Sequence, residues 1–386
     1  MSKRIAGTLG AVAVAIAALA CEDIAHVSDF KIDQAVASDG GPQAYHGVCN
    51  KCPASVASLR HPPCPVADPT PDDSHVYVYV WKTFQFGVSD DPKHTLDPSA
   101  YDTNVGYDLD CSDRKPRGLP VRCKPYSASA SGQTPWEVYP EGIDNALTQR
   151  LLGPLLVQAA AAGIPPLDKG IDAKIASGGA SAAYIIYNWN GTPNDPKVSF
   201  RVVTTLGTVD GKPPKWDGSD RWIAGEARPD PNLGQYEIPD DGFATDTAYV
   251  AGGVIVADLS FLNPAEAYVV NNNAILEVSM HHFVFSGQIT KEELKYASVS
   301  ARWGLDDILA AVPDLANYLA GCDAFIAGIL VKKLPLLAKQ AADMPLDDSA
   351  SPDQPCSALS LSYGADAYRA HIGAYQSVTA ASGCPH

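Results

Sequence analysis

The sequence predicts a mainly β protein with helical insertions (α+β), arranged as an antiparallel β-sandwich stapled by disulfides. Runs of β-forming residues recur along the chain without the regular strand–helix alternation of a parallel sheet. The 31 glycines and 31 prolines, with three methionines, are typical of a loop-rich β protein. Eight of the nine cysteines can close four disulfides, which leaves one cysteine over.

Residues 1–20 have the features of a secretory signal peptide. Lys3 and Arg4 precede an apolar run that is too short for a permanent transmembrane helix. Small residues end the run directly before Cys21. We therefore expect cleavage after residue 20 and lipidation of Cys21, the cysteine that pairing leaves over, as in a bacterial lipoprotein.

An alternative cleavage remains open. The lipoprotein signal usually has leucine three residues before the cysteine, whereas Ala18 stands there and Leu19 follows it. Ala18-Leu19-Ala20 also suits the ordinary signal peptidase, which would give a periplasmic or freely secreted protein. With a lipid on Cys21, the absence of aspartate at position 22 predicts the outer membrane or cell surface.

The mature chain divides into a tether and one domain. Residues 21–74 are rich in cysteine and proline and lack strand or helix periodicity, so we expect a tether. Residues 75–386 form a single β-rich domain with helical blocks near 145–177 and 305–342. The expected strands are His75–Val88, Ala182–Trp189, Val198–Gly207, Ala248–Asp258, Ala274–Gly287, Leu294–Arg302 and Ser357–Tyr363. The expected helices are Asn145–Ala162, Asp168–Ser177, Leu305–Val312, Leu315–Ala320, Asp323–Lys333 and Leu336–Ala342.

The remaining cysteines fall into two groups of odd size. The early group is Cys49, Cys52, Cys64, Cys111 and Cys123, and the late group is Cys322, Cys356 and Cys384. If all eight pair, at least one disulfide joins the two groups and brings the ends of the domain together. Zinc held by Cys49, Cys52, His61 and Cys64 is the competing interpretation of the early group, and an oxidising compartment favours disulfides over it.

An acidic turn is the clearest candidate for a metal site. Asp108, Asp110 and Asp113 lie close together in the chain, and Asp144 follows later as a fourth candidate ligand. Oxygen ligands at alternate positions of a loop suit Ca²⁺, the one cofactor that the sequence suggests. The alternatives are a solvated turn beside a Cys111–Cys123 disulfide, and Asp144 acting as the N-cap of the following helix.

Two further segments invite a functional interpretation, but structural roles explain both. Trp189 opens a loop whose rings and amides suit a sugar, although Asn190-Gly191 is first a turn signal. His281 and His282 adjoin in a strand and should point to opposite faces. We expect His282 on the core side and His281 on the more polar side.

Three short motifs resemble an uncharacterised group of predicted bacterial lipoproteins. They are Gly106-Tyr107-Asp108-Leu109-Asp110 before a cysteine pair, Gly142-Ile143-Asp144-Asn145-Ala146, and Cys356-Ser357-Ala358-Leu359-Ser360-Leu361. The resemblance implies an exported β-rich domain and transfers no catalytic residue, because the group has no established activity.

The sequence thus predicts an exported, lipid-anchored envelope protein with a non-enzymatic binding or structural role. Its partner is a protein or glycan, and the net charge of −16 excludes nucleic acid. A hydrolase of an envelope or extracellular polymer is the alternative, with Asp108, Asp110 or Glu277 as acids. A metal-handling protein using the early cysteines is the third hypothesis.

Overall fold

The computed structural model describes residues 62–68, 70, 75–88, 101–109, 123–124, 126, 143–152, 167–225, 228–230, 235–237, 243–259, 265–271, 274–313, 316, 324–347 and 350–376. Its strands are β1 (Tyr77–Gln85), β2 (Ser181–Tyr187), β3 (Asp195–Thr208), β4 (Arg221–Gly225), β5 (Arg228–Asp230), β6 (Gln235–Glu237), β7 (Phe243–Ala251), β8 (Val254–Asp258), β9 (Ala265–Asn271), β10 (Ala274–Ile289), β11 (Glu293–Gly304), β12 (Ala358–Arg369) and β13 (His371–Gln376). Its helical segments are a π-helical turn (Leu147–Leu152), α1 (Leu167–Ala176), α2 (Leu305–Ala310) and α3 (Ala324–Ala341).

Eight of these strands close into an antiparallel β-barrel. Hydrogen-bonded neighbours follow the order β3-β2-β1-β12-β11-β10-β8-β7, and β7 pairs back with β3. The 14-residue strand β3 allows this closure because β2 occupies one of its edges, while β7 and β4 share the other. The predicted sandwich is therefore wrong. Residue alternation shows which side of a strand is buried, but it does not show whether the first and last strands meet.

The disulfide framework also differs from the prediction. In the part of the chain that the structure describes, one disulfide has both of its cysteines present, Cys123–Cys356. It joins two segments outside the barrel strands, so it does not staple one sheet to another. Backbone hydrogen bonds around the closed ring hold the strands together instead.

Several strands lie off the closed ring. β4 continues from the second edge of β3, and β13 pairs parallel with β4. Trp222 of β4 is fully buried, and Trp216 from the preceding loop packs at 5.9 Å from it, ring centre to ring centre. β9 extends from β10, and β5 and β6 form a separate two-stranded ribbon.

Some element boundaries differ from the sequence prediction. The strand predicted at Ala248–Asp258 is a hairpin, because Gly252 and Gly253 adopt positive φ angles and turn the chain between β7 and β8. The prediction of two separate helices, Asp323–Lys333 and Leu336–Ala342, is wrong, since the single helix α3 runs through Pro335. Burial of Leu334 and Ala338 on one face stabilises α3 despite the missing N–H of Pro335.

The residues that the structure describes include no helix with both the length and the apolar character needed to span a membrane.

Aromatic rings fill the barrel interior. Tyr184 of β2 and Phe200 of β3 reach Phe285 of β10 on the other side of the ring, at centroid distances of 4.5 and 4.4 Å. Trp81 of β1 packs on Tyr184 at 5.8 Å. Contacts at this distance between opposite walls leave the middle of the barrel occupied by side chains.

The buried tyrosines predict alkaline instability. Desolvation raises the pKa of Tyr184, and it also raises the pKa of Tyr79 although Arg369 opposes this. A tyrosine in the unfolded chain titrates at about pH 10. Below that pH the buried neutral tyrosines contribute their full share to the free energy of unfolding. This contribution falls as the pH rises toward the pKa values of the folded state.

We therefore expect part of the phenolate absorbance to appear only together with loss of the circular dichroism signal. A stepwise pH titration following both signals measures this. The prediction would be contradicted if all tyrosines ionised at about pH 10, the pKa of a model phenol, while the fold stayed intact.

Candidate functional site

The acidic residues predicted to bind calcium lie partly outside the described chain. Asp110 and Asp113 fall outside it, whereas Asp108 and Asp144 are buried in segments that cover the outer wall of the barrel. Asp144 Oδ2 accepts a hydrogen bond from Leu109 N at 2.7 Å, which joins the two covering segments. The described residues include no group of three or more His, Cys, Asp or Glu arranged to hold a metal ion. The calcium site stays a prediction.

The helix cap after Asp144 is its neighbour, Asn145. Asn145 Oδ1 accepts from Thr148 N at 3.4 Å and from Ser362 N at 3.1 Å. Its Nδ2 donates to Tyr101 Oη at 3.0 Å and to the Ser362 carbonyl at 3.0 Å. The prediction of Asp144 as N-cap is therefore wrong, and Asn145 instead ties the helical turn to β12.

A polar layer under these covering segments is the main feature that sequence reasoning missed. Alternate residues of β11 and β12 place serine hydroxyls on the outer wall of the barrel. Ser298 Oγ accepts from Gly106 N at 2.7 Å, and Ser360 Oγ donates to Asp343 Oδ2 at 2.6 Å. Serines at every second position of β11 and β12 are the signal that would have revealed it. The layer contains Ser298, Ser300 and Arg302 of β11, Ser360 and Ser362 of β12, and Ser286 of the neighbouring β10.

Arg302 of β11 is the centre of this layer. Its side chain is fully buried. Nη1 donates to the Pro345 carbonyl at 3.1 Å and the Leu346 carbonyl at 3.3 Å, while Nη2 donates to the Leu109 carbonyl at 2.7 Å. One guanidinium therefore holds two separate covering segments against the barrel wall.

His281 is more buried than His282, the reverse of the burial expected for the predicted core histidine. A bulge in β10 between His281 and Val284 shifts the alternation, and His282 adopts a φ of 51°. His281 is buried, with Nε2 at 3.2 Å from Asp307 Oδ2, whereas His282 is half-buried. The prediction of His282 as the core histidine is wrong for this reason.

The polar groups of the loop after β2 form hydrogen bonds within the loop itself. Trp189 is buried, packs edge-on to Tyr77 at 4.9 Å, and donates from Nε1 to the Thr192 carbonyl at 2.9 Å. Asp195 Oδ2 accepts from Asn190 N at 2.7 Å. This geometry fits the turn interpretation and leaves the face of Trp189 inside the protein.

The cysteines confirm one prediction and overturn two alternatives. The Cys123–Cys356 disulfide joins the early and late groups across 233 residues. Cys123 is therefore not paired with Cys111. Cys64 is disulfide-bonded, so it is not a zinc thiolate. The predicted lipidation residue Cys21 and the other cysteines lie outside the described residues: Cys49, Cys52, Cys111, Cys322 and Cys384.

Of the acids named for a hydrolase, Asp108 and Glu277 lie on different elements. Asp108 is buried in the covering segment before Leu109, and Asp110 falls outside the described residues. Glu277 lies on β10, in register with Tyr268 of β9.

A different surface, on the outside of β1, β11 and β12, combines aromatic rings with charged groups. We call it the wall patch and define it as Lys82, Trp216, Lys295, Tyr296, Asp366 and Tyr368. Lys82 Nζ lies 4.5 Å from the Tyr368 ring centre and 5.9 Å from that of Trp216. The Trp216 and Tyr368 rings meet edge to face at 6.1 Å. The lysine thus joins two aromatic rings through cation–π contacts.

A β-bulge adds an exposed tyrosine, Tyr296, to this stretch of wall. The register of β11 slips between Leu294 and Ala297, and Tyr296 within the slip has a φ of 51°. Asp366 Oδ1 accepts from Tyr296 N at 2.9 Å and fixes this backbone. The Tyr296 side chain is 44% exposed. Strand alternation alone does not predict such a position.

The charges around the wall patch balance. Lys295 Nζ lies 3.0 Å from Glu293 Oε1, and Glu293 is in register with Tyr368. The hydrogen bond and charge of Glu293 raise the pKa of Lys295, with further contributions from Tyr368 and Asp366. Two lysines and two carboxylates therefore belong to this stretch of wall, on a protein whose overall charge is strongly negative.

No family model matches this chain, and no curated protein and no solved structure shows significant similarity to it.

Proposed function

We propose that the protein is an exported, lipid-anchored protein of the bacterial cell envelope that binds its partner on the outer wall of the barrel without catalysis. The observation that carries the proposal is the distribution of aromatic side chains. The rings of Tyr184, Phe200 and Phe285 occupy the interior, whereas the wall patch presents partly exposed rings beside charged groups. Exposed aromatic side chains with polar partners are typical of binding surfaces.

The disulfide supports the exported location. A bond between Cys123 and Cys356 persists in oxidising compartments and is rare in the cytosol. Cys21 remains the proposed lipid attachment point, on the outer membrane or cell surface.

The chain before the barrel has a defined docking point. Tyr249 Oη donates to the Pro63 carbonyl at 2.7 Å, and Thr192 Oγ1 donates to Asp68 Oδ2 at 3.0 Å. Residues 62–68 therefore lie against the barrel, although they belong to the stretch predicted to be a tether. The proposed free connection to Cys21 ends before residue 62.

Replacement of Cys21 tests the anchor and binding together. We expect Cys21→Ser to move the protein from the membrane fraction to the soluble exported fraction, because the acyl chains are the proposed membrane attachment. The purified full-length Cys21→Ser protein should then bind washed envelopes from cells lacking the gene, in a saturable sedimentation assay. A wild-type protein that is already soluble contradicts the anchor. A Cys21→Ser protein that stays in the supernatant with envelopes contradicts the binding role.

A further inference from the structure

We propose that the wall patch is a binding site for a neutral carbohydrate, an inference that rests on the proposed binding function. Aromatic rings pack against the C–H faces of a sugar ring, and neighbouring polar side chains bond to its hydroxyls. The wall patch offers both kinds of group: the half-buried Trp216–Tyr368 pair, and the exposed Tyr296, whose backbone N–H is bonded to Asp366.

The charge balance selects among ligand classes. Lys295 is paired with Glu293, and Lys82 and Asp366 add one charge of each sign, so these four charges cancel and favour neither an anionic nor a cationic polymer. The overall charge of −16 further disfavours anionic polymers. A neutral polyhydroxylated chain can instead use the ammonium groups as donors and the carboxylates as acceptors. Exposed charges also make the patch unsuitable for a purely apolar ligand.

The backbone holds two of the rings in position by the same device. Trp216 and Tyr296 have φ angles of 59° and 51°, which bulky residues rarely adopt. In each case a carboxylate accepts the N–H of the aromatic residue. Asp220 Oδ2 lies 2.7 Å from Trp216 N, and Asp366 Oδ1 lies 2.9 Å from Tyr296 N.

Such conformations persist only where the surrounding structure fixes them, and they concentrate at functional sites. Among the residues that the structure describes, four residues other than glycine have positive φ, and two of them belong to this patch. The placement of the two rings is thus specified by the fold. Preorganised rings lower the conformational cost of ligand binding.

Affinity electrophoresis and titration calorimetry of the full-length Cys21→Ser protein test this inference. The neutral probes are laminarin, dextran, mannan and galactomannan, and the anionic probes are alginate and heparin. We expect retardation by at least one neutral polysaccharide and by neither anionic one. Tyr296→Ala should weaken that binding about tenfold or more, as for an anchor residue at the centre of a binding surface. Tyr296→Phe keeps the ring and should stay within about threefold.

Tyr126→Ala is the matched control. Tyr126 is also an exposed tyrosine beside a lysine, with Lys339 Nζ at 5.9 Å from its ring, but it lies outside the wall patch. This variant should bind as the parent does. Absence of binding to every neutral probe, or equal binding by Tyr296→Ala and the parent, overturns the carbohydrate assignment. Retained sedimentation with envelopes in that case would leave the binding role standing.

Discussion

Replacement of Arg302 with methionine is expected to destabilise the protein by about 3 kcal/mol or more, since each buried carbonyl left without a donor costs about 1–3 kcal/mol. The side chain is fully buried, and its guanidinium donates to the carbonyls of Leu109, Pro345 and Leu346. Methionine fills a similar volume but donates no hydrogen bond. The carbonyl oxygens therefore become buried acceptors without a donor, which lowers the free energy of unfolding. Urea unfolding followed by circular dichroism measures the change.

Arg221→Met is the matched control for this prediction. Arg221 is an exposed arginine whose Nη2 also donates to a backbone carbonyl, that of Gly373, at 3.0 Å. Water can replace that bond, so we expect a change within about 0.5 kcal/mol. Equal effects of the two substitutions would contradict the role of Arg302 in holding the covering segments.

Loss of the Cys123–Cys356 disulfide is expected to cost about 3–5 kcal/mol of unfolding free energy. The bond closes a loop across 233 residues, so its removal greatly increases the freedom of the unfolded chain. Both cysteines are buried and pack with Ala342. The double variant Cys123→Ser/Cys356→Ser, compared with the wild type in urea, measures the change.

The two single variants provide the control for the disulfide. Each breaks the same bond, so each should lose about as much stability as the double variant, within about 1 kcal/mol. An unchanged urea midpoint in the double variant would show that packing and hydrogen bonds alone hold the two segments together. Stable single variants beside an unstable double variant would point to the cysteine side chains rather than the bond.

Sequence patterns located most of the barrel strands but not their arrangement. The strand predicted at His75–Val88 is β1, and the one at Leu294–Arg302 lies within β11. Their closure depends on β3 pairing with β7, a contact set by strand length and tilt rather than by local composition. Cysteine parity predicted a bond between the two cysteine groups, because it is a counting argument that needs no geometry.

The proposed binding surface was harder to predict, since irregular backbone creates it. Bulges interrupt the alternation at His282 and Tyr296, so strand periodicity does not predict the exposure of their side chains. Trp216 reaches the wall patch from a loop that Asp220 shapes through two backbone hydrogen bonds. The sequence shows these residues, but it does not show that the fold brings them onto the same surface.

The most direct test of the proposal that the barrel binds through its outer wall is envelope sedimentation with substitutions in the Cys21→Ser background. We predict that Tyr296→Ala lowers the affinity for washed envelopes about tenfold or more, because it removes the most exposed ring of the wall patch. Tyr126→Ala should leave the affinity unchanged. Equal binding by the Tyr296→Ala and Tyr126→Ala proteins would place the binding surface elsewhere and contradict the proposal.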